Sequence, residues 1–366
     1  MSARRVCILL VAGVVVILGA LWVASQRHLE KATLAGELVL PGLEKSVNDV
    51  TEIHLVKGDG VRTTLQKRPA DWIVGERAYP ADSGRVRKLL LDLGALRVVE
   101  EKTRNREFYA QLGVEDSASP KAAGTLVEVV TPKKTFDLIV GKPAGGKTGF
   151  ARVPHAEPSL LVQPLISVDA DPRRWIDRSV VDISEQRVKE AVIESAAGPS
   201  YTAARLSPQQ TDYQVAAIPK GRTLSSAGAA DGVGSVFAAL EADDVRRAPA
   251  AASDAARPDH AIFRTFNGLE LDVTGRLEDT HHYVALLARS TAKESQAEAD
   301  AANARFGGWQ FEIPSYKYQA MFTPVEQLLK PIEPPKPKAT KADAARKSSK
   351  AQAAPVAPAK PAEPPN

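Results

Sequence analysis

The sequence predicts an α+β fold in which two tandem, related α+β units with mainly antiparallel sheets follow an N-terminal transmembrane helix and precede a disordered C-terminal tail. Three observations support this prediction. An uncharged apolar run lies near the N-terminus, short alternating segments recur twice in the same order, and the end of the chain is rich in Pro, Ala and Lys. A chain of 366 residues, 44% of them hydrophobic, is long enough to bury two cores of ordinary size.

The first element is the apolar segment Val6 to Ala24, which contains 19 residues and no charge. A helix of this length rises about 1.5 Å per residue and spans a hydrocarbon core about 30 Å thick. Only five residues precede it, among them Arg4 and Arg5, which favours a cytoplasmic N-terminus and an exported body. The prediction is a signal-anchor in the bacterial inner membrane with a periplasmic body, and a cleaved signal peptide is the alternative. The one cysteine, Cys7, lies in this segment, so the body has none for a disulfide.

The first unit begins with a predicted hairpin and a third strand. Residues 51–57 and 61–67 alternate apolar and polar side chains around a Gly58-Asp59-Gly60 turn, and Trp72 begins the next extended run. Asp82 caps a predicted helix whose apolar residues recur every three or four positions, namely Val86, Leu89, Leu90, Leu93 and Leu96. A helical turn that ends at Gly113 comes later. Further strands are predicted at residues 98–102, 126–131, 135–140, 150–153 and 160–162.

The second unit repeats this order of elements. Its predicted strands are residues 188–194, 201–206, 213–218, 261–266, 269–273 and 282–288. The apolar residues Val233, Val236, Phe237 and Leu240 stand in the place of the first long helix. A bridge that contains Trp175, Ile176 and Val180 joins the units, and residues 309–322 with a short helix near 325–329 close the second unit. Because a repeated order rarely arises by chance, the units are predicted to be two copies of one.

The formal net charge of +4 lies entirely in the C-terminal tail, which holds seven Lys and Arg against three Asp and Glu. The tail has almost nothing to bury and is predicted to stay disordered. Since the basic charge forms no patch on a folded face, nucleic-acid binding is set aside, and contact with an anionic cell-wall polymer or lipid headgroups stays open. The predicted segments are the cytoplasmic stub and anchor (1–30), a linker (31–50), the first unit with the bridge (51–185), the second unit (186–330) and the tail (331–366).

A phosphate-loop pattern occurs once, at residues 141–148, where Gly141, Gly146, Lys147 and Thr148 occupy its defining positions. A phosphate loop works because the start of the following helix points its N–H groups at the phosphates. Residues 149–154 instead alternate and end at Pro154, which predicts a strand leaving a Gly-rich hairpin. The match is therefore interpreted as accidental, and no cofactor is predicted.

No catalytic residue and no metal site are predicted. The only adjacent histidines, His281 and His282, would point to opposite faces of a strand and could not share a metal. Asp82, Asp177 and Asp182 are interpreted as helix caps or partners of arginine.

Several segments resemble those of one known family. They are the strands that end at Trp72, the Tyr79-Pro80-Ala81-Asp82 entry to the Leu-rich helix, the Phe-Tyr-Ala-Gln-Leu-Gly-Val segment at 108–114 and the bridge Trp175-Ile176-Asp177-Arg178. With the anchor, they resemble the bacterial domain-of-unknown-function family 4340 over about residues 50–320. The resemblance implies an anchored envelope protein, often encoded beside ABC-transporter components of the gliding-motility auxiliary type, with no established activity. Because its motifs are structural, no functional residue is carried over.

The sequence thus favours a membrane-anchored extracytoplasmic accessory protein, a non-catalytic binding or scaffold subunit that partners an ABC-transporter-type membrane complex. The groove between the two units is the predicted docking site, since binding sites prefer junctions. Two alternatives stay open. One is an envelope hydrolase acting on the cell wall, and the other is a phosphate-loop-like nucleotide-binding protein that uses Lys147.

Overall fold

The computed structural model describes residues 17–19, 22, 35–116, 119, 121–249 and 257–331. Of the predicted anchor, Val6 to Ala24, only residues 17–19 and 22 are described, and they are helical. The remainder of the anchor and the tail beyond Pro331 lie outside the described residues. Within the described ranges, no helix has the length and apolar character needed to cross a membrane.

Nine strands and three helices form the first part of the body. The strands are β1 Glu52–Lys57, β2 Arg62–Lys67, β3 Trp72–Val74, β4 Tyr79–Pro80, β5 Arg97–Thr103, β6 Thr125–Val130, β7 Thr135–Gly145, β8 Thr148–Arg152 and β9 Ser159–Gln163. The helices are α1 Leu43–Ser46, α2 Ser83–Gly94 and α3 Tyr109–Leu112. The strands make one sheet, called the first sheet, in the order β4-β3-β2-β1-β6-β7-β8-β9-β5.

The second part of the body contains ten strands and three helices. The strands are β10 Ser179–Val181, β11 Val188–Glu194, β12 Tyr201–Ala204, β13 Gln214–Ala216, β14 Leu240–Glu241, β15 Asp244–Arg247, β16 Asp259–Thr265, β17 Leu269–Glu278, β18 His281–Ser290 and β19 Trp309–Glu312. The helices are α4 Gln296–Phe306, α5 Ser315–Phe322 and α6 Val325–Leu328. Eight strands form the second sheet, in the order β13-β12-β11-β16-β17-β18-β19-β15, and β10 pairs with β14.

The two sheets have the same order of connections. In each, the first strand of the opening hairpin, β1 or β11, lies inside the sheet between its hairpin partner and β6 or β16. The next strands add outward, and β5 or β15 takes the far edge. Every pairing between the described strands is antiparallel. The predicted α+β class with mainly antiparallel sheets is therefore confirmed.

The strands form where every second side chain is buried, and α2 forms where buried apolar side chains recur about every 3.6 residues. In β1, Ile53 and Leu55 are fully buried, while His54 between them is half-buried. The helix α2 begins where the Asp82 side chain accepts a hydrogen bond from the Arg85 backbone N–H at 2.9 Å. Its buried apolar residues are Val86, Leu89, Leu90 and Leu93, each of which contributes about 1.5–3 kcal/mol by burial.

The second sheet does not have a long helix at the position of α2. A 3-10 helix, Asp231–Ser235, occupies that place, and Leu240 lies in β14. Glycines at 232 and 234 disfavour a longer α-helix. A Cβ on Gly234 would approach the Glu185 side chain to 2.8 Å, so this close contact also requires glycine. The core itself is continuous, because one hydrophobic cluster includes buried residues of both sheets and of the segment between them.

The segment between the sheets, residues 164–187, is called the bridge, and hydrogen bonds fix it on both sides. Toward the first sheet, Asp82 donates its backbone N–H to the Trp175 carbonyl at 2.8 Å, and Asp177 donates to the Pro80 carbonyl at 2.9 Å. Toward the second sheet, β10 pairs with β14 and the Ala242 N–H donates to the Arg178 carbonyl at 2.8 Å. The bridge is therefore a structural element rather than a free linker.

Candidate functional site

The phosphate-loop match is a β-hairpin, as the alternation of residues 149–154 predicts. β7 runs to Gly145, β8 begins at Thr148, and these two residues pair with each other. The Thr148 hydroxyl donates to the Gly145 carbonyl at 2.9 Å, and Lys147 is exposed at the turn. Because a strand rather than a helix follows, the N–H groups that would hold phosphates are not gathered at this turn.

The first glycine of the match has a packing role. A Cβ on Gly141 would lie 2.5 Å from the Leu112 carbonyl oxygen and 2.7 Å from a methyl of Val114. The neighbouring Lys142 donates through Nζ to the Gln111 carbonyl at the end of α3, at 3.0 Å. Gly141 thus allows α3 and its Gly113 cap to lie directly on β7.

The paired histidines have separate partners. His281 Nδ1 lies 2.7 Å from Glu312 Oε1, whereas the His282 ring packs edge-on against Tyr318 with centroids 5.0 Å apart. The hydrogen bond with Glu312 raises the pKa of His281 above its usual value. In the part of the chain that the structure describes, no three or more His, Cys, Asp or Glu side chains are grouped to hold a metal ion.

The three aspartates singled out in the sequence have local partners. Asp82 caps α2, and Asp177 accepts from Arg305 Nη2 at 2.9 Å, so both fit their interpretation. Asp182 instead accepts the Ala239 backbone N–H at 2.8 Å, ahead of β14 and not at a helix start or an arginine. These carboxylates hold the fold together.

A charged and aromatic contact joins the two sheets, and we call it the junction. Arg77, beside β4, forms a bidentate pair with Asp244 of β15, with Nε–Oδ1 at 2.7 Å and Nη2–Oδ2 at 2.8 Å. Tyr79 packs edge-on against Trp309 and Phe311 of β19, with centroids 5.0 and 6.0 Å apart. Burial raises the pKa of Tyr79 to about 12, so its hydroxyl stays protonated across physiological pH. The junction thus combines an ion pair with aromatic packing.

A cavity of about 260 Å³ opens beside the junction, and all six of its lining residues are charged. We call it the arginine cavity, and its lining is Arg85, Asp171, Arg173, Arg174, Arg178 and Asp243. Arg85 comes from the first turn of α2, four residues come from the bridge, and Asp243 precedes β15. The site therefore combines a helix of the first part of the body, the bridge and the residue that precedes β15 in the second part.

The aspartates of the cavity hold two of its arginines in place. Asp171 accepts from Arg173 Nη2 at 2.7 Å, and this hydrogen bond lowers the pKa of the Asp171 carboxyl. Asp243 accepts from Arg178 Nη2 at 2.9 Å, and Arg178 Nε donates to the Ala242 carbonyl at 2.8 Å. Arg85 donates through Nη1 to the Arg174 carbonyl.

A second cavity of about 360 Å³ adjoins the first along α2, since Arg85 and Arg174 line both. We call it the apolar-floored cavity, because the buried side chains of Leu89, Ile166 and Trp175 are part of its lining. The Trp175 indole N–H donates to the Asp169 carbonyl at 2.7 Å, which fixes the ring. The two cavities form one cleft with a charged half and a half that combines this apolar floor with Lys88, Asp92 and Asp169.

The groove between the units is predicted from the sequence as a docking site, but none of these arginines is predicted as a ligand. Arg178 appeared only within the bridge motif, as a structural residue. The available signal is the run of charges in the bridge, where Asp171, Arg173, Arg174, Asp177 and Arg178 lie within eight positions. A bridge with so many charges would be expected to face a polar site.

A family model described as a domain of unknown function, DUF4340, matches residues 72–261, which is just over half of the chain. The match begins at Trp72 of β3 and ends within β16, so it is shorter than the 50–320 expected from the sequence motifs. It includes α2, the bridge and every residue of the arginine cavity. No curated protein and no solved structure matches the chain.

Proposed function

The chain belongs to the DUF4340 family, whose function is not described. From the geometry of its residues, we propose that the protein is a membrane-anchored extracytoplasmic scaffold that docks a membrane-protein partner. The partner in this proposal is a complex of the ABC-transporter type. The observation that supports it best is the bridge, which is hydrogen-bonded to both parts of the body and lines a charged cavity together with Arg85 of α2 and Asp243. A docking site built in this way would be positioned by the whole body.

The body is suited to bind without opening or closing. Backbone hydrogen bonds with Pro80 and Asp82 hold the bridge to the first part of the body. On the other side, β10 pairs with β14, and the Phe266 N–H donates to the Arg187 carbonyl at 3.0 Å just after β16. The Arg77–Asp244 pair and the packing of Tyr79 then join the sheets directly. A rigid surface loses little conformational entropy on binding, which favours a scaffold role.

The position of the N-terminal segment also fits an anchored scaffold. Gly36 donates its N–H to the Val98 carbonyl of β5 at 2.8 Å, and Val39 donates to the Leu96 carbonyl at 2.9 Å. Gly36 lies twelve positions after Ala24, and a chain of that length spans at most about 40 Å. With the proposed anchor in the membrane, the β5 edge would therefore stay near the membrane surface.

A crosslinked pull-down from membranes tests this function. The full chain carries an affinity tag at its C-terminus, and a tagged protein with the same N-terminal residues 1–34 but an unrelated body is the matched control. Enrichment of transporter-type membrane subunits with the full chain alone is the expected result. Equal recovery with both proteins would count against a scaffold role for the body.

Two further measurements separate the remaining possibilities. A periplasmic alkaline phosphatase fused after the second sheet should be active, and activity only of a cytoplasmic reporter at that position would contradict the proposed orientation. Turnover of purified cell wall by the clean full chain would instead favour the hydrolase alternative. If Lys147→Ala folds normally but the protein loses its function, nucleotide binding would be favoured. Because Lys147 is exposed at the turn of a hairpin, we expect this substitution to have no effect.

A further inference from the structure

The arginine cavity contains more positive charge than its own carboxylates neutralise. Four arginines and two aspartates line it, which gives a net formal charge of +2. Asp171 is held by Arg173 through contacts of 2.7 and 2.9 Å, and Asp243 is held by Arg178 at 2.9 Å. Both aspartates are thus already paired. In the adjoining half of the cleft, Asp92 is paired with Lys88, and Asp169 approaches Arg174 only to 4.0 Å. The charge of Arg85 and most of that of Arg174 therefore face the cleft.

Arg85 and Arg174 have hydrogen-bond donors to spare. Arg85 uses one N–H for the Arg174 carbonyl, and the nearest ion-pair contact of Arg174 among the described residues is Asp169 Oδ2 at 4.0 Å. Both side chains are exposed. A guanidinium has five N–H donors in a planar fork that matches the two oxygens of a carboxylate. The two arginines can therefore accept an anionic group between them.

Because the apolar-floored cavity adjoins the arginine cavity, a ligand that fills both needs more than a negative charge. Its buried Leu89, Ile166 and Trp175 lie beside the same two arginines, so a ligand that reaches both cavities must present an apolar group next to an acidic one. An inorganic anion would fill the charged half and leave the apolar floor uncovered. At about 260 and 360 Å³, the cavities match side chains rather than a folded domain.

We propose that the cleft binds an acidic peptide segment of the partner protein, with a carboxylate between Arg85 and Arg174 and an adjacent apolar side chain on the floor formed by Leu89, Ile166 and Trp175. The inference rests on the proposed scaffold function and specifies how the partner is recognised. Charge complementarity sets the acidic character of the segment, and the apolar floor sets the residue beside it.

The test uses the full chain in detergent and a fluorescein-labelled peptide of ten alternating Glu and Leu residues, with an alternating Lys and Leu peptide as its counterpart. Fluorescence anisotropy measures binding to the wild type and to Arg85→Glu and Arg174→Glu. Arg87→Glu is the matched control, because Arg87 is exposed on the same helix but lines a different cavity. Circular dichroism confirms that each variant is folded.

We expect the acidic peptide to bind the wild type and Arg87→Glu alike, and to bind Arg85→Glu and Arg174→Glu at least tenfold more weakly, or about 1.4 kcal/mol. Added salt should weaken the binding, since the contact is electrostatic. Absence of binding to the wild type, equal binding to all variants, or equal binding of the basic peptide would overturn the inference. Complete displacement by inorganic phosphate with no preference for the peptide would identify the cleft as an anion site instead.

The pull-down distinguishes this inference from the function on which it rests. If the wild type recovers transporter-type subunits and Arg174→Glu does not, both stand. If wild type, Arg174→Glu and Arg87→Glu recover the subunits equally, the scaffold function stands and the acidic-segment inference fails. If the wild type recovers none above the anchored control, the proposed function itself fails.

Discussion

The Arg77–Asp244 pair provides a direct test of whether the two sheets behave as one body. The pair has two charge-assisted contacts of 2.7 and 2.8 Å, and the side chains are 27% and 19% exposed. Fully exposed pairs contribute about 0.2–1 kcal/mol, whereas removing one partner of a buried pair costs about 3–5 kcal/mol. At this intermediate burial, we expect a coupling free energy of about 1–2 kcal/mol between the two side chains.

A double-mutant cycle of Arg77→Gln, Asp244→Asn and the double variant isolates this coupling. The Asn side chain keeps an oxygen to accept the Val245 N–H, which Asp244 accepts at 2.8 Å in the native protein. Urea unfolding of the full chain, followed by circular dichroism and tryptophan fluorescence, gives the free energies. The continuous core predicts that both probes report one transition.

Two results would contradict the expectation that the two sheets behave as one body. A coupling below about 0.3 kcal/mol would mean that the pair does not hold the sheets together. Two separate transitions in the wild type would mean that the sheets unfold independently, and the rigid-scaffold argument would then lose its physical basis.

Three further predictions follow from the described contacts. Arg152→Met should lower the free energy of unfolding, measured in urea, by about 2–4 kcal/mol, because the buried guanidinium donates to two carbonyls and a carboxylate. The control is Arg62→Met at an exposed position, which should change this free energy by less than about 0.5 kcal/mol. Gly141→Ala should lower the thermal midpoint or prevent folding, since its Cβ would meet a backbone oxygen at 2.5 Å. Glu312→Gln should lower the pKa of His281 in an NMR titration, because Glu312 raises it.

Each of these predictions has a result that contradicts it. Equal unfolding free energies for the two arginine variants would show that burial of Arg152 is not matched by useful hydrogen bonds. A stable Gly141→Ala would show that α3 can move away from β7. Its control is Gly146→Asn, because Gly146 has open space around it and a left-handed φ that Asn tolerates.

For His281, the raised pKa means that any stabilisation is present below about pH 6.5 and is lost as the pH rises through the pKa of the folded state. A titration unchanged by Glu312→Gln would contradict that contact.

Elements with strong local patterns could be predicted from the sequence. The alternation in residues 52–67 around Gly60 gave the first hairpin, and the apolar stripe after Asp82 gave α2 with its N-cap. The helix α4 was missed because it is rich in Ala and buries only Ala299 and Phe306, so it shows no apolar stripe. An α-helix like α2 is expected near Val233, but the structure has a short 3-10 helix there, because two glycines disfavour the α-helix.

The candidate site could not be predicted in detail, for a reason of distance along the chain. Arg85 and Arg174 meet through a hydrogen bond although 89 positions separate them, and Asp243 joins them from beyond β14. The periodicity of apolar residues predicts how a single segment packs, but it carries no information about contacts between segments that are far apart in the sequence. The sequence could indicate only that the bridge is highly charged.

The difference between the two sheets explains why the cleft lies where it does. The two sheets share an order of connections, but only the first has a helix of twelve residues between its opening strands and its far-edge strand. That helix presents Arg85 to the Arg174 carbonyl of the bridge, and the bridge supplies Arg173, Arg174 and Arg178 to the same cavity. The 3-10 turn in the second sheet is instead packed on Tyr213 and Glu185 through Gly234. A repeated framework thus supports a site that is not repeated.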